Sequence, residues 1–123
     1  MSVYRVSNFP RVLIAGGAGF IGSNLVKNLL LKGKFVDCID NFVTGQESAV
    51  APFMQNARFR FFRGDISDTV FMSRFAGQQY SHIYNLACPT GVPNIAMLGE
   101  EMLLTSSLGS LNLLHIAEVT NAR

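Results

Sequence analysis

Charge is scarce in this chain. Asp, Glu, Lys and Arg make up 15% of its 123 residues, and hydrophobic residues 49%. Ordinary domains carry about 25% charged residues, and one of this size buries roughly two-thirds of its surface. The deficit predicts either a further covered face, under a partner subunit or a second domain, or a sheet buried on both sides. A net charge of +2 is too weak to hold a nucleic-acid backbone, where affinity follows the number of phosphates neutralised. The basic cluster, Arg58, Arg60 and Arg63, alternates around Phe59, Phe61 and Phe62. It reads as the solvated end of a strand, with an anion site as the alternative.

Cysteine is scarce too. Cys38 and Cys88 share no spacing motif and sit in apolar segments. They read as buried thiols of a reducing compartment rather than as a disulfide framework. The two histidines, His82 and His115, stand far apart without metal-ligand spacing; His82 reads as a surface residue at a strand start, and His115 as a surface or interface residue of the last helix. No apolar run reaches the ~20 residues that span a bilayer. The opening MSVYRVSNFPR has no apolar stretch before a small-residue cleavage site. The expectation is a cytoplasmic protein with neither membrane nor nucleic acid among its partners.

What is present is a regular alternation of strands and helices. Residues 12–15 are apolar without alternation, as in a strand buried on both faces. A glycine turn over 16–22 leads into a helix over 20–31, with Ile21, Leu25, Val26 and Leu29 turned to the sheet and Gly33 as its stop. A second strand over 35–39 ends at Asp40, and a polar stretch over 41–52 holds a short helix near 46–50. A third strand over 57–62 precedes a helix capped by Ser67 or Asp68 and running to Phe75. A fourth strand over 81–87 is followed by a stiff loop at Pro89, Gly91 and Pro93, then by a long helix over 97–119. The order predicts the α/β class: a truncated Rossmann-like, doubly wound parallel sheet of about four strands, ordered 3-2-1-4, in three layers. Residues 1–123 read as a single domain. Strand four is left as a bare edge, which calls for a partner.

The glycines fit two spacings. Gly17, Gly19 and Gly22 spell G-x-G-x-x-G; Gly16, Gly19 and Gly22 spell G-x-x-G-x-x-G. Either supplies a tight turn, close backbone approach to a pyrophosphate, and contact between helix and strand with no side chain between. The pyrophosphate would sit at the start of the helix, where unpaired N–H groups and the helix dipole favour anions. The strand before and the helix after give the motif its context. Asp40 lies 18 residues past Gly22. A carboxylate there accepts both adenosine-ribose hydroxyls and repels a 2′-phosphate, which favours NAD over NADP. Asp65 either meets the adenine amino group, with Ile66 packing nearby, or serves as a turn or helix-cap aspartate. Ala87 and Cys88 either let the chain pass close to the cofactor or simply pack the sheet.

The segments AGGAGFIGS at 15–23, DNFVTG at 40–45, GDI at 64–66 and IYNLACP at 83–89, with TSSLGSLNLLHIA at 105–117, carry a family resemblance. The chain resembles the N-terminal, NAD-binding part of the extended short-chain dehydrogenase/reductases that act on nucleotide sugars. The pattern is that of UDP-glucuronate decarboxylase, with dTDP-glucose 4,6-dehydratase next. The resemblance implies roles by position. Gly16, Gly19 and Gly22 are the three glycines, and Phe20 and Ile21 offer backbone N–H groups to the pyrophosphate. Asp40 holds the adenosine ribose with Asn41, Phe42, Thr44 and Gly45 around it. Asp65 and Ile66 border adenine, Leu86, Ala87 and Cys88 line the middle of the cofactor, and Thr105 lies near its inner end. It also implies a homodimer through the 97–119 helix, the strand-four edge, or both. The apolar run Leu104, Leu108, Leu111, with Met102, Leu103 and Leu114, is consistent with such a surface.

The departures from that pattern bear on chemistry. Ala15 stands for a threonine, Asn85 for a histidine, Ile95 for a tyrosine, Leu98 and Gly99 for Asn-Pro, Leu104 for a lysine and Ser106 for an asparagine. The family's catalytic serine or threonine and its Tyr-x-x-x-Lys follow strand five, and Tyr4, Tyr80 and Tyr84 have no lysine three or four residues on. Without that pair there is no tyrosinate base. In a complete relative NAD oxidises the sugar at C4, decarboxylation or elimination follows, and NADH reduces the intermediate. This chain is expected to supply the NAD cradle and to be inactive alone, meeting a nucleotide sugar only where a second half is present. Two other readings stand beside it: a non-catalytic dimeric binding or scaffold protein derived from the family, and a small enzyme with a site built at a dimer interface.

Overall fold

The computed structural model describes residues 9–89 and 92–123. Four parallel strands, β1 (Arg11–Ala15), β2 (Phe35–Asp40), β3 (Phe59–Arg63) and β4 (Tyr80–Asn85), lie in the order β3-β2-β1-β4. The predicted sheet order is the observed one. Helix α1 (Phe20–Leu31) joins β1 to β2, and α2 (Glu47–Val50) with a 3-10 turn joins β2 to β3. Helix α3 (Thr69–Met72), continued by a 3-10 turn to Phe75, leads to β4. Helices α4 (Val92–Met97), α5 (Gly99–Leu104) and α6 (Ser110–Thr120) follow, with a π-helical segment, Thr105–Gly109, between the last two.

The strands feed two cores because successive side chains point to opposite faces. Val12, Ile14, Val36, Cys38 and Phe59 pack with Val26 and Leu30 of α1. Leu13, Ala15 and Ile39 pack on the other face with Phe71, Met72, Phe75, Leu113 and Ile116. All five residues of β1 are buried: residues 12–15 as their unbroken apolar run requires, and Arg11 as a buried charge. In α1 the buried stripe is Gly22, Val26 and Leu30, with Leu25 and Leu29 at its margin. Ile21, expected to face the sheet, is 67% exposed, because at the first turn the narrow stripe belongs to a glycine.

Several expected boundaries move. β3 starts two residues later than expected, since the Asn56 side chain and carbonyl fold the preceding residues into a turn. β4 ends at Asn85, before the expected close of that strand. Asp68, not Ser67, caps α3, its Oδ1 accepting the Phe71 N–H at 3.0 Å. Pro93 lies in α4 rather than in a loop, a position near a helix start where its missing N–H costs little; Gly91 is outside the described residues. The single helix expected over 97–119 is broken at Leu98 and carries the π segment.

One feature of the sheet was not expected at all. Asp37 of β2 is fully buried, and its carboxylate gathers all four strands. Oδ1 accepts from Arg11 Nε and Arg60 Nε, each at 2.7 Å; Oδ2 accepts from Arg60 Nη2 at 2.6 Å and Tyr80 Oη at 2.7 Å. Arg11 Nη2 also donates to the Val36 and Arg58 carbonyls. Burial lowers the Arg11 pKa, and Asp37 only partly offsets it. For Arg60 burial also lowers the pKa, but hydrogen bonds and charge from Asp37 outweigh it and the net shift is upward. Burial, with Asp37 beside it, pushes the Tyr80 hydroxyl up. Arg60 is therefore no solvated strand residue, as its cluster suggested. The network sits where the strands begin, opposite the glycine turn.

The β4 edge is also less bare than expected. Arg123 N–H donates to the Ser81 carbonyl at 3.0 Å, and Ile83 N–H donates to the Arg123 carbonyl at 2.7 Å. That pair of bonds is the parallel-strand pattern.

Candidate cofactor site

A cavity of about 540 Å³ opens over the carboxyl ends of the strands. It lies where the strand order reverses between β1 and β4, the crevice in which doubly wound sheets bind ligands. Every residue expected to hold a cofactor lines it except Phe42.

The floor is the glycine turn. Gly16 has φ +83°, and a Cβ there would lie 2.5 Å from the Leu86 carbonyl carbon. Only glycine lets β1 leave the sheet this close to the chain leaving β4. At Gly22 a Cβ would fall on the Gly16 carbonyl oxygen, so α1 can touch the turn only without a side chain. Gly19 begins the helix, and the first N–H groups of any helix have no partner within it. Phe20 and Ile21 turn their side chains outward, 86% and 67% exposed, and so bring backbone rather than side chain to the cavity. An anion is favoured at this end by the dipole as well as by the free donors. Cys38 lies beneath Gly17, where burial and then the charge of Asp40 push its thiol up. It is a packing residue.

Asp40 ends β2 and is 9% exposed. Its Oδ2 accepts the Ala18 N–H at 2.9 Å and its Oδ1 the Phe42 N–H at 2.8 Å. One bond comes from the glycine turn and the other from the loop after β2, so the carboxylate joins the two. An ionised carboxylate has about four acceptor positions; two remain for a ligand's hydroxyls. Asn41, Thr44 and Gly45 line the wall beside it, together with Ile39 and Val43. Phe42 departs from expectation. Its ring stacks on Phe61 in the core beneath α1 and α2, because its φ of +60° turns the side chain away from the cavity. Its backbone N–H is what serves the site.

On the far wall, Asp65 lines the cavity and also fulfils the alternative reading of a turn residue: Oδ1 accepts both the N–H and the hydroxyl of Ser67 at 2.8 Å. Ile66 is 3% exposed, packs against Gly109 and has its carbonyl held by Asn112 Nδ2 at 2.8 Å. Leu86, Ala87 and Cys88 follow β4 along the middle, with Leu86 N–H still bound to the Ala15 carbonyl. Cys88 is half-buried, its Sγ 3.8 Å from Ser106 Oγ. Thr105 is 7% exposed at the start of the π segment.

Sequence reasoning missed Ile39, Val43, Gly64, Pro89 and Glu101 as further lining residues. Glu101 is an acidic residue of the first turn of α5. It also stands four residues before Thr105 and hence on the same helix face, a signal that was available. Among the described residues no group of three or more His, Cys, Asp or Glu is placed to hold a metal. No helix among them is long and apolar enough to cross a membrane.

Comparison with known proteins agrees with this geometry. The sequence pattern of the GDP-mannose 4,6 dehydratase family matches residues 13–123. UDP-glucuronic acid decarboxylase 1 of Arabidopsis thaliana is 34% identical over 113 residues, covering 92% of this chain and 25% of its own length. The structure of an epimerase from Methanothermobacter thermautotrophicus superposes with a TM-score of 0.82 at 30% identity, over 92% of this chain and 33% of that one. The Bordetella bronchiseptica enzyme WbmG, solved in complex with NAD, gives 0.79 at 30% identity over 91% of this chain and 34% of its own. The chain thus spans a quarter to a third of these relatives. A pattern that runs from Leu13 to the last residue takes in the glycine turn, Asp40 and the whole cavity: the chain belongs to the GDP-mannose 4,6 dehydratase family.

Proposed function

We propose that this chain is the NAD-binding part of a nucleotide-sugar decarboxylase or dehydratase. The observation that carries the reading is Asp40, a buried carboxylate locked by one backbone bond from the glycine turn and one from the loop after β2. Its remaining acceptor positions suit the vicinal hydroxyls of an adenosine ribose and oppose a 2′-phosphate. The residues fit the cofactor. The N-terminal donors of α1 would take its pyrophosphate, Asp65 and Ile66 would border adenine, and Leu86, Ala87, Cys88 and Thr105 would line its inner half. When bound, NAD supplies reversible hydride transfer. The relatives' names, UDP-glucuronic acid decarboxylase and GDP-mannose 4,6 dehydratase, support a nucleotide sugar as the substrate class. The described residues bring no tyrosine–lysine pair into the cavity, so the chain alone is expected to bind without turnover. Two free thiols are consistent with a reducing, cytoplasmic setting. A homodimer through the outer face of α5 and α6 belongs to the same reading.

The test is calorimetric titration of the 123-residue chain with NAD and NADP. NAD is expected to bind more tightly than NADP. Asp40→Ala should weaken NAD by at least about tenfold, the worth of hydrogen bonds to a charged acceptor. A folded chain that binds neither dinucleotide would overturn the reading.

A further inference from the structure

The backbone of Phe42 is in a region that bulky residues rarely occupy. Its φ of +60° is left-handed, and a non-glycine residue stays there only where its surroundings hold it. Beside the core cluster on which the ring packs, two side chains of β3 hold it. Phe61 stacks on the Phe42 ring with centroids 5.2 Å apart and 25° between planes. The Arg63 guanidinium carbon lies 5.3 Å from the centroid of the same ring. Residues 61 and 63 share one face of the strand by its period of two, and Arg63 is the register partner of Asp40. The turn these contacts maintain brings the Phe42 N–H to Asp40 Oδ1.

We propose that Phe61 and Arg63 are positioning residues: by clasping the Phe42 ring they hold its left-handed turn, fix the Asp40 carboxylate, and so sharpen the choice of a dinucleotide with a free ribose diol over its 2′-phosphorylated form. The proposal rests on the reading of the cavity as an NAD site. A carboxylate held at both oxygens cannot swing aside, so a phosphate at the 2′ position meets its charge in full. Released at Oδ1, the same carboxylate rotates away at little cost, and discrimination falls.

The sign of one substitution separates this role from a direct one. Were Arg63 itself an attractor of phosphate, its removal would weaken NADP and widen the preference for NAD. The clasp requires the opposite. Arg63 is largely exposed, so Arg63→Ala is expected to fold, which a thermal melt checks. Both dinucleotides are titrated into wild type, Arg63→Ala and Arg63→Lys, and exchange of the Phe42 amide hydrogen is followed in each without cofactor. In Arg63→Ala the preference for NAD should narrow by about threefold to fivefold, the reach of an exposed cation–π contact. The Phe42 amide should exchange faster by a similar factor, and Arg63→Lys should restore both. Phe61→Leu, which keeps the position apolar and loses the stack, should move both readouts the same way. A preference unchanged or widened, or an amide protected as before, overturns the clasp. Should wild type bind neither dinucleotide, the NAD reading fails, and the Phe42 amide exchange decides the clasp by itself.

Discussion

Three acidic residues show what a sequence discloses at the scale of one side chain. Asp40 was legible because its distance from Gly22 and its place at a strand end define its job. Asp65 had two readings, and the structure shows both at once: a wall of the cavity and a cap for Ser67. Asp37 was not legible. It sits in an apolar run, and its partners come from three other strands, so only the sheet register reveals Arg11, Arg60 and Tyr80 around it. The glycines divide in the same way. The motif names Gly22, but the reason lies in the Gly16 carbonyl oxygen that a Cβ would strike. Backbone cannot yield as a flexible side chain does. Gly22→Ala is therefore expected to lower stability by about 1–3 kcal/mol and to remove NAD binding, because α1 must withdraw its N–H groups from the turn. Urea unfolding and NAD titration of the same variant check the two effects. Full binding in Gly22→Ala would contradict the contact.

At the scale of an element, the long helix after the fourth strand was anticipated and its burial was not. The periodic leucines at 104, 108 and 111, which suggest a partner surface, are all exposed. The stripe that meets the sheet begins with Thr105 and Gly109 and only then becomes Leu113 and Ile116. Small residues are needed there because Gly109 rides directly on Ile66, the wall of the cavity. A break at Leu98 and a π segment are invisible to a period of 3.6, since neither needs a helix-breaking residue. The consequence is an outer face carrying Leu103, Leu104, Leu108, Leu111 and Leu114, with Leu111 62% exposed. A face of this kind suits the dimer surface proposed above. Leu111→Glu should leave stability within about 0.5 kcal/mol, as a solvent-facing change does, while dissociating the dimer we propose. Sedimentation velocity of wild type and variant reads the outcome. A wild-type monomer would remove the dimer from the proposal and leave the cavity untouched.

For the molecule as a whole, the two ends of the sheet do different work. The carboxyl ends open into turns, a cavity and exposed backbone donors. The amino ends are closed by one carboxylate and two guanidiniums at 0% exposure for Asp37 and 4% for Arg11. The low charge content hid this arrangement: three of the few charged residues, Asp37, Arg11 and Arg60, meet where they fix strand order and register. Asp37 reaches the neighbouring β1 and β3 and, through the Tyr80 hydroxyl, β4 as well. A sheet shifted by one residue would bury the same groups without partners, which costs more than the native pairing gains. Asp37→Ala leaves Arg11 buried and facing Arg60 with no anion between them, and is expected to cost about 3–5 kcal/mol. Tyr80→Phe, which removes a single hydrogen bond, should cost about 1 kcal/mol. Because the network lies at the opposite end from the glycine turn, the folded fraction of either variant should bind NAD with wild-type affinity. Urea midpoints and NAD titrations well below each midpoint test the separation. Loss of affinity in a fully folded Tyr80→Phe protein would show that the two ends of the sheet are coupled after all.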